Sequence, residues 1–168
     1  LYLPSCILGG IINRLSEKTL FSFISTCKRL RAYAFQERSH LRFNVHENEE
    51  KISENAVFLI LKTFRHVQSL EFVGSYNAIY VSALQDLQLK SLTLRSSSLC
   101  NVFGLENLAL KLQSLSLSEC KNSLTELSAL GSLTNMKSLC LSYCENLTDV
   151  SCLRTLKTIE NLNLSSCG

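Results

Sequence analysis

The sequence predicts an α/β solenoid built on a parallel sheet and preceded by a small all-α helical module. Three observations predict it. A nine-residue pattern with apolar residues at its first, fourth and sixth positions recurs five times, with starts 22, 23, 24 and 23 residues apart. Behind the pattern the apolar spacing switches from two to three, as in a strand followed by a tight return. Residues 1–38 carry helix-spaced apolar stripes instead, and a different charge. The expected division is therefore a helical module over 1–38 and repeats over 39–168, with one degenerate copy, about five regular ones and the last incomplete.

Composition narrows the alternatives. The chain has 168 residues, 46% of them hydrophobic and 18% charged, which excludes a disordered tail. No apolar run reaches the roughly 18 residues needed to cross a bilayer, so no membrane span is expected. A net charge of +3 is too mild to argue for nucleic acid. Leu makes up about a fifth of the chain and Ser about a seventh, the bias that calls for a search for repeats. The chain starts at Leu1 rather than Met, without a charged segment leading into an apolar one, and is expected to be a fragment with no visible signal peptide.

In the first module, Ile7, Leu8, Ile11, Ile12 and Leu15 form one amphipathic stripe, with Pro4 suited to a first helical turn. Ser16 suits the N-cap of a second helix carrying Leu20, Phe23, Ile24 and Cys27. Six cations, Arg14, Lys18, Lys28, Arg29, Arg31 and Arg38, stand against Glu17 and Glu37, leaving the remainder of the chain slightly acidic. The spacing of Leu3-Pro4, Leu15-Ser16, Leu20 and Cys27-Lys28-Arg29-Leu30-Arg31 resembles an F-box. That resemblance implies docking on a Skp-type adaptor of a cullin ubiquitin ligase, with Leu3, Pro4, Ile7, Leu8, Ile11 and Leu20 as the adaptor-binding residues. A helical cap over the first repeat is the competing reading of the same residues, because a solenoid must cover its terminal core layer.

A degenerate copy follows, with Leu41 and Phe43 at the fourth and sixth offsets. The segment 46–50 reads as a charged loop. Ile52–Arg65 reads as an α-helix, capped by Ser53 and carrying Val57, Leu61 and Phe64 at helical spacing.

The regular copies run Val67–Ser75, Leu89–Ser97, Leu112–Cys120, Met136–Cys144 and Ile159–Cys167. Their fourth and sixth positions are Leu70/Phe72, Leu92/Leu94, Leu115/Leu117, Leu139/Leu141 and Leu162/Leu164. Alternation of this kind puts both apolar side chains on one face of a strand. Strands are expected near 41–44, 69–73, 91–95, 114–118, 138–142 and 161–165, all parallel. The returns space their apolar residues by three: Leu124, Leu127, Leu130, Leu133 and Met136, then Leu147, Val150, Leu153, Leu156 and Ile159. One such turn cannot bury its own leucines, so stacked turns share a continuous core.

The fourth copy, Met136-Lys-Ser-Leu139-Cys-Leu141-Ser-Tyr-Cys144, and its return Leu147-Thr-Asp-Val150-Ser-Cys-Leu153 resemble leucine-rich repeats. The return looks like the short internalin-like class, and Cys at the ninth position like the cysteine-containing class. The resemblance implies a horseshoe whose parallel sheet lines the concave side. Positions three, five and seven then form a polar floor of small residues, with position eight at its edge. The large side chains on or beside that floor are Glu71, Arg95, Glu119 and Tyr143, the candidate substrate-binding residues. Tyr and Arg are the usual anchors of interfaces, which favours Arg95 and Tyr143.

Of the eight cysteines, Cys120, Cys144 and Cys167 recur at the ninth position. They are expected to form an inward ladder of free thiols, because parallel side-chain vectors give poor disulfide geometry. Unpaired buried thiols in turn favour a reducing compartment, cytoplasmic or nuclear. No Cys-x-x-Cys pair occurs and the histidines lie at 40, 46 and 66, so no metal site is expected. His46 and Glu47 lack the second His, four residues on, of the zincin pattern. Sequons at Asn146 and Asn163 occur at the frequency chance provides. No phosphate-binding loop or nucleophile elbow is present, so neither catalytic residues nor a cofactor are expected. These features together predict a non-enzymatic protein-binding chain. The F-box resemblance implies the substrate-recognition subunit of a ubiquitin ligase. The alternative is a leucine-rich repeat scaffold whose N-terminal helices only cap the solenoid.

Overall fold

Alternating apolar residues in every repeat build strands that stack side by side. The computed structural model describes residues 19, 39–45, 66–74, 84, 86–95, 104–120, 124 and 127–168. Six strands form one sheet: β1 (His40–Val45), β2 (Ser69–Gly74), β3 (Ser91–Arg95), β4 (Ser114–Ser116), β5 (Ser138–Cys140) and β6 (Asn161–Asn163). Their order in the sheet is their order in the chain, and each adjacent pair is parallel. The register follows the repeat: Leu41, Leu70, Leu92, Leu115, Leu139 and Leu162 stand side by side across all six strands. A parallel sheet with short helical pieces in its connections is compatible with an α/β solenoid.

One backbone device repeats from turn to turn. The carbonyl of the residue before the strand accepts two N–H groups from the next turn. Gln113 O accepts from Lys137 N (2.8 Å) and Ser138 N (3.0 Å). Lys90 O, Gln68 O, Ser39 O and Lys137 O do the same for their successors. The entry to each strand is thereby fixed to the turn before it.

Between the later strands the chain returns through 3₁₀ helices: η1 (Leu105–Leu108), η2 (Ser128–Ser132) and η3 (Ser151–Thr155). Apolar spacing of three suits this tighter helix, whose residues i and i+3 share a face. Leu105 and Leu108 are buried, as are Leu124, Leu127, Leu130 and Leu133. They meet Leu115 and Leu139 of the strands and Leu117 and Leu141 just past them, in one core that also takes in Cys120 and Cys144. The core opens at the last turn. Leu162 is 47% exposed, although its neighbour Leu139 in the same register is buried.

Strand length departs from expectation in the second half of the sheet. The strands expected to run to 118, 142 and 165 stop at Ser116, Cys140 and Asn163. The cause is the eighth position, which takes a left-handed backbone in each of these turns: Glu119 (φ 66°), Tyr143 (φ 61°) and Ser166 (φ 58°). A residue in that region ends the extended run. Ser118 and Ser142, expected on the sheet face, fall into the turn instead and are only 7% exposed.

The cysteine ladder is corrected at one rung. Cys144 and Cys167 are free thiols, but Cys120 is disulfide-bonded. Its bond is not made to Cys140, Cys144, Cys152 or Cys167, all of which are free. The ladder geometry explains why its members do not join one another. Cys144 Sγ donates to Leu117 O and Cys167 Sγ to Leu141 O, each at 3.1 Å, so each thiol is aimed at a carbonyl of the preceding turn. With Cys120 oxidised, the argument from unpaired cysteines to a reducing compartment loses its basis.

Of the N-terminal module only Thr19 is among the described residues, and it is helical. The charged loop at 46–50 and the helix expected over 52–65 lie outside them. No helix among the described residues is long and apolar enough to cross a membrane.

Candidate interaction surface

Turning the leucines of each strand inward leaves positions three and five on the opposite face of the sheet. There the pairs run Ser91–Ser114–Ser138–Asn161 and Thr93–Ser116–Cys140–Asn163 across β3 to β6. Small side chains make this half of the face low and polar. At the β1–β2 end the larger groups satisfy one another. Arg42 and Glu71 are paired in register and their side chains meet at 3.5 Å. His40 Nδ1 lies 2.9 Å from Ser69 Oγ.

The four expected binding residues therefore divide. Glu71 is tied to Arg42 and its side chain is only 17% exposed, so an ion pair already occupies it. Arg95 ends β3 and is exposed. Glu119 and Tyr143 come together: both occupy the eighth position of adjacent turns, and Glu119 N donates to Ser142 O (3.0 Å). Both are exposed, Tyr143 to 51%. The left-handed backbone lifts these two side chains out of the strand path, at the edge where the strands end. Arg95, Glu119 and Tyr143 are thus exposed, while Glu71 is ion-paired and half-buried. The expected adaptor-binding residues Leu3, Pro4, Ile7, Leu8, Ile11 and Leu20 lie outside the described residues.

Cys140 stands apart from the cysteines of the ninth position. It sits at the fifth position, on the sheet face. Its Sγ lies 3.3 Å from Ser142 Oγ. Partial burial pushes its thiol up, but hydrogen bonds from the Ser142 side chain and backbone and from Ser116, with the Arg95 charge, outweigh that and hold it below the ordinary thiol value. Two other thiols move oppositely. Burial pushes Cys144 up to about 11, and burial with the Asp149 charge pushes Cys152 up. The adjacent turns carry Ser116 and Asn163 at this position.

One buried polar atom among the described residues lacks a hydrogen-bond partner, Ser118 Oγ. In the next two turns the equivalent serines reach the fifth position of their own turn: Ser142 Oγ meets Cys140 Sγ, and Ser165 Oγ donates to Asn163 Oδ1 at 2.7 Å. Among the described residues no group of three or more His, Cys, Asp or Glu side chains is placed to hold a metal ion. The surface carries a polar floor of small side chains, the exposed guanidinium of Arg95, and the exposed carboxylate of Glu119 and phenol of Tyr143 at its edge. No protein-family model matches the chain, and no curated protein sequence matches it.

Proposed function

We propose that this chain is a protein–protein interaction protein that recognises its substrate on the sheet face and works as the substrate-recognition subunit of a Skp-cullin-F-box ubiquitin ligase. In this reading the repeats form a leucine-rich repeat horseshoe with a concave parallel sheet. The all-α module over 1–38 docks on a Skp-type adaptor through Leu3, Pro4, Ile7, Leu8, Ile11 and Leu20, in the cytoplasm or nucleus. The chain itself is not an enzyme; it holds a protein for chemistry done elsewhere. The observation that carries the binding reading is the in-register parallel sheet whose outer face is small and polar, with Arg95 and Tyr143 exposed beside it. An aromatic ring and a guanidinium are the side chains that most often anchor a partner, and small hydroxyls and amides around them can hydrogen-bond it.

The scaffold reading, in which the N-terminal helices only cap the repeats, has one observation in its favour. Leu41 is fully buried although β1 is an edge strand, whereas Leu162 on the opposite edge is half exposed. A buried leucine on an edge strand requires a covering layer. One experiment separates the two readings: replace Leu3 and Pro4 together with Ala, then measure adaptor pull-down and thermal melting. Lost pull-down with unchanged melting supports the ligase subunit. Lost stability, with no adaptor bound by the parent chain, supports the cap and removes the ligase assignment.

A further inference from the structure

Most carboxylates among the described residues are committed within the chain. Glu71 pairs with Arg42, and Glu160 with Lys137. Glu106 accepts from Gly104 N and Asp149 from Ser151 N, each at 2.8 Å. Glu119 differs. It is exposed, and its carboxylate has no hydrogen-bond or ion-pair partner among the described residues, the exposed cation Arg95 included. Tyr143 is 51% exposed, and its ring and hydroxyl likewise have no partner among the described residues. Asp86 shares that freedom, but it precedes β3 instead of following a strand.

A second observation is that the two side chains leave the stack together. Glu119 and Tyr143 occupy the eighth position of adjacent turns, and both take the left-handed backbone, at φ 66° and 61°. Each makes the same bond to the following turn: Glu119 N donates to Ser142 O at 3.0 Å, and Tyr143 N to Ser165 O at 2.9 Å. The same φ and the same bond at equivalent positions of stacked turns send both side chains off in one direction, about 5 Å apart. A carboxylate and a ring at that spacing can hold one cation between them. The carboxylate accepts its N–H groups, and the ring face attracts its charge within about 6 Å. Arginine suits the pair better than lysine, because a planar guanidinium bonds a carboxylate in bidentate fashion and stacks flat on a ring.

We propose that Glu119 and Tyr143 form a subsite for an arginine side chain of the protein that the sheet edge binds. The guanidinium lies against the Tyr143 ring and donates two N–H groups to the Glu119 carboxylate. Charge complementarity selects this occupant: Glu119 brings an unpaired negative charge to the edge, which an acidic or apolar side chain would leave without a counter-charge. The subsite rests on the reading of this surface as a protein-binding face, and not on the ligase assignment.

The test titrates the native chain with an acetylated, amidated Gly-Ser-Arg-Ser-Gly peptide, followed by nuclear magnetic resonance. Two control peptides carry lysine or the neutral citrulline in place of the arginine. The arginine peptide is expected to shift the amide resonances of Glu119, Ser142 and Tyr143 and the ring resonances of Tyr143. The lysine peptide binds severalfold more weakly, and the citrulline peptide moves none of these resonances. Glu119→Gln and Tyr143→Leu each weaken the arginine peptide severalfold without changing the melting temperature, as exposed side chains allow. Tyr143→Phe, which keeps the ring, retains binding, and so does Asp86→Asn. Equal shifts from the citrulline peptide, undiminished binding by Glu119→Gln or Tyr143→Leu, or shifts centred away from these two residues would overturn the subsite. Adaptor pull-down reports on the ligase reading separately, and its failure leaves the arginine response in place.

Discussion

The thiol of Cys144 donates a hydrogen bond to the carbonyl of Leu117, 27 positions earlier, at 3.1 Å. Cys167 repeats the bond to Leu141 one turn later. The ninth position thus ties each of these turns to the one before it through an S–H, buried at Cys144 and part-buried at Cys167.

This bond has a pH consequence. Burial, the largest influence, raises Cys144 from 9.0 to about 11. A folded-state value above the unfolded one means the contribution is fully present below pH 9 and is lost as pH rises toward about 11. Denaturant melting of the parent chain is expected to show falling stability across that window. Cys144→Ala should start less stable, and its gap from the parent should narrow as pH rises. A constant gap would mean that the Cys144 proton plays no part.

Leu117 is fully buried between successive strands. Leu117→Ala is expected to destabilise the chain by about 2–5 kcal/mol, since the cavity sits where neighbouring turns cannot collapse into it. Urea titration followed by circular dichroism measures it. A loss well under that range would place Leu117 outside the shared core.

Leu139 and Leu162 occupy the same repeat position in paired strands, yet Leu139 is buried and Leu162 is 47% exposed. Apolar stabilisation scales with area removed from water. Leu162→Ala should therefore cost about half of what Leu139→Ala costs, in the same titration. Equal losses would require the last turn to be covered in solution.

Asp149 accepts a hydrogen bond from Ser151 N at 2.8 Å at the start of η3. Backbone and side-chain hydrogen bonds from Ser151 hold its carboxyl below the ordinary 3.8. A depressed folded-state value contributes stability above pH 3.8, and that contribution is lost as pH falls through the lower folded value. Asp149→Ala is expected to melt at a lower temperature than the parent at pH 7, and the difference should vanish in acid. Persistence of the difference well below pH 3.8 would show that the carboxylate charge is irrelevant to the bond.

Much of the fold was legible because the repeat encodes it twice. Leucines at the fourth and sixth positions set both the buried face and the register, and Leu70, Leu92, Leu115, Leu139 and Leu162 align as their offsets require. Spacing of three at Leu127, Leu130 and Leu133 likewise reports a 3₁₀ return. The strand ends were not legible, because the left-handed turn is made by Glu119, Tyr143 and Ser166 rather than by glycine. The surface was legible only in part. The ion pair of Glu71 with Arg42, 29 positions earlier and in the degenerate copy, was not. The partition of the cysteines depends on where each sulfur points, which spacing alone does not specify for Cys120 or Cys140.

The most direct measurement is the interstrand nuclear Overhauser pattern of the β4–β5–β6 backbone. The account predicts parallel contacts, with Ser138 of β5 between Ser114 of β4 and Asn161 of β6, and Cys140 between Ser116 and Asn163. Close Hα–Hα contacts of antiparallel strands, or a register shifted by one residue, would turn the leucines out of the core and contradict the stacked-turn account on which the interaction surface rests.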